Sequence, residues 1–271
     1  MSKVNKDGLT EEEYLAQYSP GKYERPSVSV DMLILGMNQF LDGLKVLLIQ
    51  RNNHPFIDRW ALPGGFVKIT ESAYSAACRE LEEETGLSDV YLEQLYTMSQ
   101  PDRDPRMRVI DIAYMALIPE TPVEAGDDAK DALWFDITFN DKVLRLEHKE
   151  RGIFIEYHLE KKIFKNGRMQ VESLIPVLNS EDALAFDHAE IVLDGLVRLR
   201  NKIEYSDIAF NLVPEEFTLP DLQRVYEIIL GKSLYKSNFK NSLTRKIVSL
   251  DRKGTSIVGN KAATLYRYGA E

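Results

Sequence analysis

The segment 64–87, GGFVKITESAYSAACRELEEETGL, places the tightest constraint on what this chain folds into. It reads as a turn, a short exposed stretch and one helix whose last two turns carry Glu80, Glu83 and Glu84. Their i, i+3 and i+4 spacing sets three carboxylates on one helical face. Gly86 is a natural left-handed stop, with Leu87 placed to pack back on Leu81. The acids therefore fall at the helix C-terminus, where the macrodipole disfavours each by roughly 0.3–1 kcal/mol. Local stability does not account for such a helix. A hard divalent cation does, because Mg²⁺ is held by a few carboxylates together with substrate phosphates. The plain alternative is a solvated acidic face, the usual fate of a charge run.

A length of 271 residues with 44% hydrophobic content predicts two domains with real cores. No run approaches the ~20 apolar residues of a membrane span, and the opening MSKVNKDGLTEEEYL is too polar for a signal peptide, so the expected location is cytoplasmic. The single cysteine, Cys78, excludes an intramolecular disulfide and fits a reducing compartment. It reads as a small packed side chain rather than a nucleophile. His54, His148, His158 and His188 show no ligand spacing, which argues against zinc. Net charge is −9, yet residues 231–268 hold nine Lys or Arg against Asp251 alone. That asymmetry points to a second function in a basic C-terminal region.

Residues 1–26 form a polar arm in which Thr10 and Glu13 have the spacing of a capping box before a short helix. VSVDMLILGM and LKVLLIQR read as strands joined by a turn, followed by the loop NNHPFIDRWALPGG. Beyond the acidic helix, VYLEQLYTMS and MRVIDIAYMALI are strands separated by QPDRDPR, whose prolines continue neither. LWFDI is a short strand, and 150–175 predicts a β-hairpin turning at Asn166–Gly167. DHAEIVLDGLVRLRNKIEY is helical, with Ile191, Leu193, Leu196, Val197 and Leu199 on one side. Residues 27–204 therefore predict an α/β sandwich around a mixed sheet. From 205 to 271 the pattern changes. FTLPDLQRVYEIILG is a helix with Thr218 as N-cap and Gly231 as stop. SLYKSNFKNSLTRKIVSL predicts a second helix with Leu243, Ile247 and Leu250 as its apolar stripe and Lys236, Asn238, Lys240, Asn241, Thr244 and Arg245 on its other faces. Strands at TSIV and TLYRY complete a winged helix-turn-helix, whose second helix lies in the major groove of DNA.

The full spacing of the acidic segment resembles the signature of the Nudix hydrolases. Gly65, Glu71, Arg79-Glu80-Leu81, Glu83-Glu84 and Gly86-Leu87 fill every fixed position over 23 residues. The resemblance implies a Nudix α/β/α sandwich followed by the winged helix. It implies that Glu80, Glu83 and Glu84, with the carbonyl of Gly65, hold Mg²⁺ or Mn²⁺, while Glu71 and Arg79 pair to fix the loop against the helix. The cations would polarise a diphosphate and generate hydroxide for attack at phosphorus. Glu83 is one candidate base; Asp127 and Asp128, in the loop before Trp134, are the others, and their alternative role is turn formation.

The stretch 94–114, QLYTMSQPDRDPRMRVIDIAY, is similar to the ADP-ribose branch of the family, with Pro101 as its marker. Arg103, Arg106 and Arg108 are candidate phosphate clamps, since guanidinium forks suit phosphates; Arg51 and Trp60 are weaker candidates for ligand contact. The first expectation is an enzyme cleaving ADP-ribose, or a similar nucleoside diphosphate linked to another group, to AMP and a phosphorylated product. The same branch includes NAD-related regulators carrying a C-terminal winged helix, which resemble this chain over most of its length. The alternative expectation is therefore a DNA-binding homodimer that senses an ADP-ribose-like effector, with Lys236, Asn238, Lys240, Asn241 and Arg245 facing DNA. A third reading makes residues 205–271 a dimerisation module only.

Overall fold

In the computed structural model, which describes residues 3–123, 129–243 and 245–269, the polar arm carries α1 (Glu11–Gln17). Its capping box forms as the sequence predicts: Thr10 N–H donates to Glu13 Oε2 at 2.8 Å and Glu13 N–H to Thr10 Oγ1 at 3.3 Å. None of its residues is buried.

Strand β1 (Ser27–Met37) is the central axis of the large sheet, buried at nine of its eleven positions. Such a strand is a near-continuous apolar run because both its faces are covered. Next come β2 (Leu44–Arg51), the short β3 (Trp60–Ala61) and β4 (Gly64–Phe66), α2 (Ala73–Thr85), β5 (Tyr91–Met98), β6 (Val109–Pro119), β7 (Ala129–Phe139), β8 (Val143–His148), β9 (Ile153–Asn166) and β10 (Met169–Leu178). The strands form one ten-stranded sheet in the order β10-β9-β8-β7-β2-β1-β6-β5, with β3 on β2 and β4 on β1. Among the described residues only the strands β1 and β6 pair in parallel, which makes the sheet mixed. Their register sets Ser29 beside Asp111.

Helix α3 (His188–Lys202) covers the face opposite α2. Val30, Met32 and Ile34 of β1 point toward Ala76, Ala77 and Leu81 of α2, while Leu33 and Leu35 face Leu193 and Leu196 of α3. Each fully buried Leu or Ile contributes roughly 1.5–3 kcal/mol, so this alternation fixes the strand's register. Gly195 allows the approach of α3: a Cβ there would lie 2.0 Å from Leu33 Cδ2.

The chain then forms β11 (Glu216–Thr218), α4 (Leu219–Leu230), α5 (Lys236–Ser242), β12 (Ile247–Thr255) and β13 (Ala262–Tyr268), with a three-stranded sheet ordered β11-β13-β12. Thr218 caps α4 and Gly231 ends it at φ +66, as predicted. Leu222, Val225, Ile229, Phe239 and Leu243 belong to the same apolar cluster as Leu33 and Leu196, so one core runs from the large sheet into the winged helix.

The structure corrects several local expectations. The second helix stops at Ser242, and Ile247 and Leu250 lie in β12, where Ile247 pairs with Tyr268. A spacing of three and four along Leu243, Ile247 and Leu250 suits a helix, but the cross-strand partner decided otherwise. TSIV is no strand beyond Thr255, because Ser256 Oγ and Val258 N–H both donate to Asp221 Oδ1 and fold the segment into a turn. The β9–β10 hairpin turns at Gly167 and Arg168, since Asn166 still pairs with Met169; Gly167 takes φ +60. LWFDI is part of the longer β7, and β3, β4, β8 and β11 were not expected. Thr244, Asp127 and Asp128 lie outside the described residues.

Candidate functional site

Helix α2 begins at Ser72, whose Oγ accepts from Ser75 N–H at 3.0 Å, and ends at Gly86 in the left-handed conformation, φ +69. The stop leaves Glu80, Glu83 and Glu84 on its last turns, beside β4. Gly65 approaches this helix so closely that a Cβ would lie 2.2 Å from Glu80 Oε1. Gly64 is equally confined, with its missing Cβ 2.3 Å from Val30 O.

Arg79 organises the acids. It grips Glu71 through Nη2 at 2.9 Å and Nε at 3.3 Å, while Nη1 reaches Glu80 at 2.7 Å and Glu83 at 3.2 Å. Glu71 also accepts from Lys68 N–H at 2.9 Å, closing the loop ahead of the helix. The Arg79 hydrogen bonds, then the Lys68 one, hold the Glu71 carboxyl down to about 2. Burial pushes Glu80 up, against the pull of Arg79. Glu83 is exposed, and Glu84 is half-buried outside the cleft wall.

Among the described residues, no three carboxylates or imidazoles converge as a ready-built metal site. The Arg79 guanidinium stands between Glu80 and Glu83, supplying positive charge there. An all-oxygen donor set from Glu80, Glu83 and Glu84 still suits a hard cation, and the missing Cβ of Gly65 lets the Glu80 carboxylate lie directly against its backbone.

Glu80, Glu83, Arg79 and Gly65 form one wall of a cleft of about 460 Å³. Of the four arginines expected to bind substrate, Arg51, Arg103 and Arg106 line it. Arg51 donates to Pro55 O at 2.8 Å and lies 4.9 Å from the Phe186 ring centroid; Arg106 pairs with Asp104 at 2.8 Å, 5.7 Å from the Phe66 ring. Arg108, outside the cleft lining, is where the structure corrects the picture of a phosphate clamp. Arg108 donates to the carbonyls of Ser99, Gln100 and Val109 and staples its own loop. Arg103, at the cleft floor with a side chain only 3% exposed, binds Asp187 through Nε and Nη2 and Asp31 through Nη2 at 3.1 Å. Trp60 is buried and packs edge-on against Phe135.

Sequence reasoning missed the polar floor around Arg103. Ser29 donates to Asp111 Oδ1 at 2.8 Å, and Asp111 Oδ2 is buried without a hydrogen-bond partner. Leu62 N–H donates to His188 Nδ1 at 2.8 Å, leaving Nε2 as the protonated nitrogen, 3.4 Å from Asp31. Burial and then the charge of Asp31 push Asp111 well above the usual carboxylate range. Burial opposes ionisation of Asp31, but His188, Arg103 and Asp111 together hold it low. The available signal was one acid inside each apolar strand, Asp31 in VSVDMLIL and Asp111 in VIDIAY.

The other face of interest is α5. Phe239 anchors it edge-on against Tyr226, with ring centroids 5.1 Å apart. Lys236, Asn238, Lys240 and Asn241 are exposed along it, and Arg245 is exposed just beyond. Asp221, 2% exposed, ties the turn between β12 and β13 to α4 by accepting from Thr218, Ser256 and Val258. No helix among the described residues is long and apolar enough to cross a membrane.

Comparison with known proteins matches residues 25–155 to the NUDIX domain and residues 209–268 to the NrtR DNA-binding winged helix domain. The chain is 32% identical, over 97% of its length and 90% of the relative's, to the ADPR responsive transcriptional repressor NtrR of Acinetobacter baylyi. It is 42% identical to the ADP-ribose pyrophosphatase of Methanocaldococcus jannaschii, over 47% of this chain and 72% of that one. Among solved structures, a MutT/nudix family protein from Enterococcus faecalis superposes with TM-score 0.77 at 34% identity, covering 96% of this chain and 94% of that one. Shewanella oneidensis NrtR in complex with a 27mer DNA gives TM-score 0.63 at 26% identity, covering 89% and 93%.

Proposed function

Because the chain belongs to the NrtR-type family, in which a Nudix domain is joined to a C-terminal winged helix, we propose that it is a DNA-binding transcriptional regulator whose Nudix cleft senses an ADP-ribose-type ligand. The division into an arm (1–26), a Nudix domain (27–204) and a winged helix (205–271) is part of this proposal, as is a homodimeric state. The observation that carries it is the build of α5. One buried aromatic holds the helix, and its polar and basic residues all face outward, which suits insertion into the major groove. The ligand class is supported by the repressor relative and by a co-structure of the Shewanella NrtR Nudix domain with ADP ribose, which superposes with TM-score 0.50 at 27% identity.

The test is retardation of a duplex carrying the gene's own upstream sequence. Affinity falls steeply with salt, since phosphate contacts dominate, and changes when ADP-ribose is added. Absence of any shift at low salt refutes the reading.

Hydrolysis is the second reading, and it ranks behind regulation. The observation in its favour is the intact motif from Gly65 to Leu87. A bound Mg²⁺ or Mn²⁺, held by Glu80, Glu83, Glu84 and the Gly65 carbonyl, would polarise a diphosphate. Arg79 must then give up part of its hold on Glu80 and Glu83, while its Glu71 bonds keep the loop in place. AMP release from ADP-ribose with Mg²⁺, reduced at least ~10²-fold in Glu83→Gln, is the expected result; no release by the wild type across a panel of nucleotide sugars excludes this activity.

A further inference from the structure

Asp187 stands at the N-cap of α3, where a carboxylate ordinarily accepts hydrogen bonds from the first turn and is stabilised by the helix dipole. Here it makes no side-chain cap bond. Its two oxygens go to Arg103 instead, 2.9 Å from Nε and 2.6 Å from Nη2. The backbone carries the mark of this diversion. Asp187 has φ −98 and ψ 19, outside the extended region that capping residues use, and Phe186 before it has φ +50. An aromatic residue there is in a sparsely populated conformation, of the kind that persists where the surroundings hold it. Phe186 and Arg103 both line the cleft that contains Arg51, Arg106, Glu80 and Glu83.

We propose that the Arg103–Asp187 pair is a ligand-operated latch. A diphosphate entering the cleft competes with Asp187 for the Arg103 fork, and the released Asp187 turns to cap α3, shifting the helix on which the winged helix rests. The inference rests on the ligand-sensing reading above. Each partner has an alternative of similar chemistry. A guanidinium takes phosphate oxygens in the same forked geometry as a carboxylate, and Asp187 has the Ala189 N–H in the first turn of its own helix, where His188 and Glu190 already donate to the carbonyls of Ala185 and Asp187. Exchanging charge-assisted bonds for others of the same kind makes two arrangements close in energy, which is what a switch needs. Asp31 stays beside Arg103 in both and keeps the guanidinium at the cleft floor.

The far end of α3 is wired to the winged helix. Arg200 donates at 3.2 Å both to Ile229 O in α4 and to Phe139 O in β7. Leu199 shares a core with Leu222, Val225 and Ile229. From α4, the Tyr226–Phe239 contact reaches α5. A packed core transmits displacement rather than absorbing it, so a change at Asp187 arrives at the helix that would face DNA.

The test uses the full-length protein, ADP-ribose, and the upstream duplex, comparing wild type with Asp187→Asn. The amide cannot form the ion pair, so the competitor for Arg103 is weakened. We expect ADP-ribose to bind about five-fold tighter by calorimetry, and the ligand-induced change in DNA affinity to shrink about five-fold or more. DNA affinity without ligand should move toward the ligand-saturated wild-type value. A merely structural residue would lower Tm and weaken both ligands while leaving that ratio intact. An unchanged ratio, or unchanged ADP-ribose affinity, in a folded Asp187→Asn overturns the latch. Should that variant not fold, hydrogen exchange on the wild type decides: ADP-ribose at saturation alters exchange at 186–192 and at 219–230, and no change at 186–192 overturns the proposal. If wild-type DNA binding ignores ADP-ribose, the regulator reading fails and the relay to α4 falls with it. The competition for Arg103 is then still judged by the calorimetric affinity of Asp187→Asn.

Discussion

Replacing Arg103 with methionine separates two roles that the sequence alone does not distinguish. An arginine waiting for phosphate can be removed without harming the empty protein. An arginine that neutralises buried carboxylates cannot. The Arg103 side chain is 3% exposed, and its partners Asp31 and Asp187 have side chains 13% and 14% exposed. Asp111 lies behind them at 0%. Methionine fills the space of the stem but leaves two facing carboxylates without their cation. Breaking one partner out of a buried ion pair costs about 3–5 kcal/mol, a large share of the ~5–15 kcal/mol that holds a typical protein folded. The loss also has a pH signature. Asp31 is held below its ordinary value, so it contributes stability above the unfolded-state pKa of ~3.9, and that contribution fades as pH falls through the lower folded value. Arg103→Met forfeits part of it, so the deficit against wild type is greatest near neutrality and closes in acid. Urea denaturation followed by circular dichroism from pH 7 downward measures this. A deficit below about 1 kcal/mol at pH 7, or one that stays undiminished once pH is well below the free-aspartate value of ~3.9, refutes the argument that Arg103 is a structural cation.

Three further outcomes are expected. Asp111→Asn should gain on the wild type as pH rises. The folded state keeps on Asp111 a proton that the unfolded chain releases, so wild-type stability falls by about 1.4 kcal/mol per pH unit between the free-aspartate value and the raised folded one; a difference that stays flat from pH 5 to 9 would sink this. Gly65→Ala should fold, because the displaced Glu80 oxygen belongs to a flexible side chain, yet bind Mn²⁺ some 10–100-fold more weakly in a calorimetric titration. Lys240→Ala and Arg245→Ala should each reduce the slope of log affinity against log salt for duplex DNA by about 0.9 if each meets a phosphate; unchanged slopes would place the DNA elsewhere.

Much of this molecule could be read along the chain. The caps at Thr10 and Thr218, the stops at Gly86 and Gly231, and the buried run of β1 all follow from interactions spanning a few residues. So does the acidic face of α2; the Arg79–Glu71 pair, implied by the Nudix resemblance, and the Arg79–Glu83 pair one turn away are in the structure. The spacing of Leu243, Ile247 and Leu250 misled because it fits a helix as well as a strand, and Tyr268, some twenty residues on, broke the tie.

The partners of Arg103 lay further off still. Arg103 and Arg108 look alike in sequence, yet one meets carboxylates 72 and 84 residues away and the other meets carbonyls of its own loop. Sequence by itself determined the acidic helix α2, the capped helix α4 and the main strands of the large sheet, since these depend on local periodicity and capping. Only the tertiary structure decided which charges are spent inside the fold. A guanidinium's role depends on which acids packing brings within hydrogen-bond reach of it, and the parallel pairing of β1 with β6 and the docking of α3 set that here.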